Sequence, residues 1–139
     1  MSDARDVREM RTADLDADGR HEIAVRLAQR LSLPGDISGS VARELLVVYA
    51  VTEDGVRRCG AVEVAIARAD ASVRAEVRWP RARGGPLEVR AGPVTGWDAR
   101  SWPFSERNIR DEVHPIPLPW REPALLRLTV RDGRLVHAR

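Results

Sequence analysis

Leu45-Leu46-Val47-Val48-Tyr49-Ala50-Val51, running on into Thr52-Glu53-Asp54-Gly55, is the stretch that decides the fold class. Leu45, Val47, Tyr49 and Val51 alternate with Leu46, Val48 and Ala50, so both faces of the run are apolar. A strand of that kind sits centrally in a sheet and is covered on both sides. Asp54-Gly55 then predicts a hairpin closed by a type I′ turn. The returning strand carries Val62, Val64 and Ile66 on one face and Glu63 on the other.

The same period of two recurs on either side. Ile23, Val25 and Leu27 alternate with Ala24, Arg26 and Ala28. A helix also fits that short segment, through the spacing of Ile23, Leu27 and Leu31, but the alternation favours a strand over 22–28. Residues 32–42 gather Pro, Gly and Ser and read as a loop. Val73, Ala75, Val77 and Trp79 alternate with Arg74, Glu76 and Arg78, a strand with one wet face. Pro80 and Gly84-Gly85-Pro86 end it, and Leu87, Val89 and Ala91 make another short strand. A last hairpin sets Leu126, Leu128 and Val130 against Leu135 and Val136 around Asp132-Gly133.

Residues 93–123 differ in composition. They hold six of the nine prolines and three of the four tryptophans. Repeated proline blocks a hydrogen-bonded ladder, so this is a long ordered loop, with one helical turn over 105–113 capped by Ser105. There is no internal repeat, low-complexity tract or linker. Roughly seven or eight short strands separated by turns predict one mainly β domain over 1–139, a small antiparallel sandwich or open barrel.

Composition narrows the function classes. With 139 residues and 43% apolar content, the chain is long enough for a real core. No apolar run nears the roughly 20 residues that span a bilayer. The 23 basic residues are all arginine, and they face 21 acidic ones. The pI is near 9.4. The two signs are interspersed rather than gathered into a basic stripe, which argues against nucleic-acid binding. Absence of lysine reads as the codon bias of a GC-rich genome. The polar N-terminus lacks the apolar core of a signal peptide. The expected location is therefore cytoplasmic, or extracytoplasmic if a signal was removed ahead of Met1. Cys59 is single, so it forms no intrachain disulfide and no thiolate zinc cage, and it reads as structural.

Chemistry concentrates in Asp14-Leu15-Asp16-Ala17-Asp18-Gly19-Arg20-His21-Glu22. Calcium takes roughly six to eight hard oxygen ligands in flexible geometry. Asp14, Asp16 and Asp18 stand at loop positions one, three and five, where a curled loop turns their carboxylates inward. Gly19 at position six allows the sharp turn, Arg20 at seven offers its carbonyl, and Glu22 at nine binds directly or through water. The twelfth position, a bidentate Glu in an EF-hand, is Val25 here, so this is not a standard EF-hand. A solvated acidic turn is the plainer reading. Three carboxylates this close, however, repel unless a cation sits among them. Calcium is favoured over magnesium, which demands stricter octahedral geometry.

The stretch from Ala13 to Val25 resembles the calcium loop of FG-GAP/VCBS-type repeats, in which an Asp-x-Asp-x-Asp-Gly loop is followed by an acidic residue and an apolar strand. The resemblance covers about 20 residues and implies a loop between β-strands that binds calcium structurally. Asp-Gly is usual at the second and third steps, where this chain has Ala17. One copy is present, so no whole propeller is implied. Gly96-Trp97, Trp102-Pro103-Phe104 and Leu118-Pro119-Trp120 resemble the tails of bacterial proteins that carry one such loop.

Trp97, Trp102, Phe104 and Trp120 form the other candidate site. They read as a satellite core pinning the proline-rich loop to the sheet, or as an exposed platform for a partner protein or sugar. Arg100, Arg107 and Arg121 are placed to stack on them. His21, His114 and His137 have no metal-ligand spacing, and His21 reads as a surface residue. Ser101, Ser105, Asp111 and His114 make a triad only on paper, without a nucleophile elbow. The expected role is a noncatalytic calcium-binding β domain, an accessory or protein-interaction module. The alternative is an inhibitor- or immunity-type protein that binds its partner through the Trp/Pro-rich loop without metal. An unrecognised hydrolase ranks third.

Overall fold

The computed structural model describes residues 6–17, 21–31, 41–104, 113–122 and 124–138. Among them there are eleven strands and no helix. They are β1 (Asp6–Ala13), β2 (Glu22–Leu31), β3 (Val41–Thr52), β4 (Gly55–Ala67), β5 (Ser72–Arg74), β6 (Glu76–Arg78), β7 (Leu87–Arg90), β8 (Val94–Thr95), β9 (Val113–His114), β10 (Leu125–Arg131) and β11 (Arg134–His137). One sheet runs β1-β2-β3-β4-β5-β8, with β9 added in parallel on β4. The other runs β11-β10-β7-β6. All other pairings are antiparallel. The mainly β, antiparallel architecture expected of the alternating runs is the one observed.

The stretch that opened the sequence reading lies at the centre. β3 pairs with β2 from Ile23↔Tyr49 to Leu31↔Val41 and with β4 from Ala42↔Ala67 to Thr52↔Gly55. Its alternation works as two faces. Leu46 and Val48 join the main core, while Leu45 and Val47 join a second cluster with Ala61 and Val113. The main core lies between the sheets, where Val62, Val64 and Ile66 meet Leu87, Val89, Leu126, Leu128, Val130 and Leu135. Ile116 and Leu118, from the proline-rich stretch, are 1% and 0% exposed in that core.

β3 and β4 do not run in uniform register. The pairing steps from Glu44↔Ala65 to Leu45↔Glu63, and from Val48↔Gly60 to Tyr49↔Arg58. Val64 and Cys59 are therefore the extra residues of two bulges, and bulges bend and twist a ladder. The second explains Cys59. It follows the exposed Arg57 and Arg58, yet it is only 1% exposed. The thiol is a core group, as expected, and its pKa is raised chiefly by that burial.

Several expectations need correcting. Residues 41 and 42 begin β3 and are not loop. The segment from Val73 to Trp79 is two strands, not one. β5 belongs to the first sheet and β6 to the second, and the chain crosses between them at Ala75. Ala75 N–H still donates to the Val64 carbonyl at 2.8 Å, holding the corner against β4. The stretch 93–123 is not wholly loop, because it contributes β8 and β9. The helical turn placed at 105–113 falls outside the described residues up to 112, and Val113 is in a strand.

The two Asp-Gly hairpins also differ. Asp132 and Gly133 have φ of 54° and 75°, the pair of left-handed residues a type I′ turn requires. In the β3–β4 hairpin the turn residues are Glu53 and Asp54, neither at positive φ, and Gly55 at 121° already pairs with Thr52. The Asp54-Gly55 dipeptide closes a hairpin there, but not through a type I′ turn.

Candidate metal centre

The acidic stretch occupies the connection between β1 and β2, two neighbouring antiparallel strands joined from Asp6↔Ala28 to Ala13↔Glu22. Residues 22–28 are strand, as the alternation favoured, and not helix. Glu22, paired with the last residue of β1, is 2% exposed, and Asp14 is 7% exposed. Burying two carboxylates at one turn is costly unless each is hydrogen-bonded or paired.

The local bonds show how the turn is built. Glu22 Oε1 accepts from Leu15 N–H at 2.6 Å, which ties the exit strand back to the start of the loop. Leu15, 1% exposed, is an anchor in the main core. Its carbonyl accepts from Thr129 Oγ1 at 2.6 Å, and the Asp14 carbonyl accepts from Gly84 N–H at 2.8 Å. So β10 and the 81–84 turn both hold the loop. Arg83 Nε lies 3.3 Å from Asp14 Oδ2, with the arginine side chain 69% exposed.

Within this frame Asp14, Asp16 and Glu22 each direct a carboxylate oxygen to one place, all within 4.8 Å of one another. Asp16 is exposed, the other two are buried, and the group could hold a metal ion. The donors are hard oxygens, the type a hard cation takes. Asp18 and Arg20, the other two expected ligands, and Gly19 lie outside the described residues. The negative charge of Glu22, and more weakly that of Asp16, also pushes the Cys59 thiol upward.

Ala17 carries the turn at φ 62°, in the left-handed region. An alanine there is strained by about 1 kcal/mol, and glycine is not. It is the position at which the FG-GAP pattern departs. Ala17→Gly is expected to stabilise the protein by roughly 0.5 kcal/mol, after the extra chain entropy glycine brings to the unfolded state. Urea denaturation would measure it, and a destabilised variant would refute the strained turn.

The second candidate site is assembled too. Trp102 touches Trp97, Phe104 and Trp120 edge-on, with ring centroids 5.2, 5.0 and 5.8 Å away. All four rings are half-buried and pack against the main core. The satellite-core reading describes their inner side, while part of the cluster stays exposed. Of the expected arginines, Arg121 lies 5.9 Å from the Trp102 ring, Arg107 is outside the described residues, and Arg68, which sequence reasoning missed, lies 5.7 Å from Phe104.

The paper triad is not brought together by any described contact. Ser101 Oγ accepts from Asp98 N–H within its own turn, and Ser105 and Asp111 lie outside the described residues. His114 Nε2 is 2.9 Å from the Leu135 carbonyl. His114 and His137 meet edge-on at 5.1 Å, a pair joined only by the fold, while His21 is exposed as expected. Among the described residues no helix is long and apolar enough to cross a membrane. Comparison with known proteins finds no matching family model, curated protein or solved structure.

Proposed function

We propose that this protein is a noncatalytic β domain stabilised by calcium, serving as an accessory or protein-interaction module. The observation that carries the reading is the convergence of Asp14, Asp16 and Glu22 within 4.8 Å at the turn between two adjacent strands. The side chains of Asp14, Asp16, Asp18 and Glu22 and the carbonyl of Arg20 would hold the ion. Its positive charge would offset the mutual repulsion of the carboxylates and fasten β1 to β2 at their shared turn. Because Val25 supplies no twelfth ligand, affinity should fall below that of the tightest EF-hands.

The test is thermal melting in calcium and in excess chelator. Binding to the native state alone stabilises by about 2.7 kcal/mol at about 100 times Kd. For a chain of this size that is a rise of roughly 8 °C. Asp16 is the exposed member of the group. Asp16→Ala should abolish the calcium shift and leave melting in chelator nearly unchanged. Identical wild-type curves in calcium and chelator would overturn the reading. They would favour the second one, partner binding by the half-exposed Trp97, Trp102, Phe104 and Trp120 without metal.

A further inference from the structure

β1 is an edge. Among the described residues it pairs only with β2, and no other backbone bond reaches it. It also exposes two large apolar side chains, Val7 at 60% and Met10 at 64%. In a regular strand residues three apart point to opposite faces. Here the register with β2 steps from Val7↔Leu27 to Glu9↔Arg26, leaving Arg8 as the extra residue of a bulge. Met10 then pairs with Val25. Val25 and Leu27 are two apart on β2, and paired residues share a face, so Val7 and Met10 lie on the same side. It is the side where Leu27 packs against the cluster of Leu45 and Val47. Arg8 and Glu9 share the opposite side, where they line one surface groove with Arg26, Glu44 and Arg74.

We infer that β1 is a self-association edge, at which two copies of this chain pair their β1 strands antiparallel about a two-fold axis between Arg8 and Glu9. In that register Val7 stands opposite Met10 and Arg8 opposite Glu9, each twice. Glu9, which also bridges Arg26 of its own chain at 3.3 Å, then meets Arg8 of the other copy, and the two exposed apolar residues cover each other. The bulge is what permits this register, since without it Val7 and Met10 would point apart. One step either way sets Arg8 against Arg8 or Glu9 against Glu9, and like charges directly opposite are destabilising. Edge strands guard against promiscuous pairing with charges and bulges; here those features leave one partner strand satisfied. The contact is small for a stable interface, so a weak, concentration-dependent dimer is expected. The inference does not involve the metal.

The test is sedimentation velocity on the intact protein up to about 0.5 mM, with Kd in the micromolar to millimolar range. Wild type should dimerise as concentration rises. Arg8→Glu alone sets two carboxylates against each other beside the axis, and Glu9→Arg alone sets two guanidinium groups there. Each should weaken dimerisation by about tenfold or more. An equimolar mixture of the two variants should restore it, because each strand then meets its opposite. Circular dichroism checks that both variants keep the β fold, and the wild-type result stands without them. A monomeric wild type throughout the range overturns the proposal. So does undiminished dimerisation of Arg8→Glu, or a mixture no stronger than the variants alone.

Discussion

Gly92→Ala is expected to destabilise the protein by about 4 kcal/mol or more, a large share of the roughly 5–15 kcal/mol that keeps a domain folded. The residue lies where the chain returns from β7 in the second sheet to β8 in the first. Beside it, Arg74 and Ala75 carry the chain the other way, from β5 to β6. A Cβ on residue 92 would lie 1.9 Å from the Arg74 carbonyl oxygen and 3.1 Å from its carbon. The obstacle is backbone, so no flexible side chain can swing aside. Relief requires moving the corner itself, which Ala75 N–H and the β5–β8 pairing hold to the first sheet. Urea denaturation followed by circular dichroism would measure the loss. A cost below about 1 kcal/mol, ordinary for a surface change, would show that the two crossings are not packed this closely.

Glu22 is the second position where one substitution should have a large effect. Glu22→Ala removes the acceptor of a 2.6 Å bond from Leu15 N–H at a site where the glutamate is 2% exposed. A buried donor left unsatisfied costs about 1–3 kcal/mol. In calcium at about 100 times Kd the loss of linkage adds about 2.7 kcal/mol. The expected total is about 5 kcal/mol in calcium and about 2 kcal/mol in chelator. Glu22→Gln separates the two contributions. Its amide oxygen still accepts from Leu15, but it brings no charge to a cation. It should melt near wild type in chelator and lack the calcium-induced rise. A glutamine variant that responds to calcium as wild type does would remove Glu22 from the ligand set, and a harmless alanine would mean that the Leu15 bond is not formed.

Much of the fold was legible in short-range pattern. Apolar alternation at 45–51, 62–66, 73–79 and 126–130 marks strands because side chains of a strand alternate between faces. Two apolar faces marked β3 as central because each must find cover. The one strand that pattern missed outside the proline-rich stretch is β1. Its exposed Arg8, Met10, Arg11 and Thr12 lie at an edge, where burial imposes no period, and its bulge breaks the phase. The acidic loop was legible for a different reason. Its candidate ligands are neighbours in sequence, so their convergence follows from local turn chemistry.

What tertiary structure alone decided is where distant segments meet. The alternation from Val73 to Trp79 is unbroken in sequence, yet the chain changes sheets at Ala75, because the close approach of Gly92 and the bond to Val64 bend it there. No local signal encodes that partner. Asp54-Gly55 and Asp132-Gly133 are the same dipeptide, but only the second takes a type I′ turn. In the first, pairing of Gly55 with Thr52 places the glycine in the strand. The same distinction runs through the candidate site. Sequence named Asp14, Asp16 and Glu22 as acidic neighbours with ligand spacing. Only the fold buries two of them, through Thr129 and Gly84, both far along the chain, which hold the backbone carbonyls of Leu15 and Asp14. Spacing along the chain determines which groups can reach one point. Burial sets how strongly those charges act on one another, and it depends on packing against residues that the local sequence does not contain.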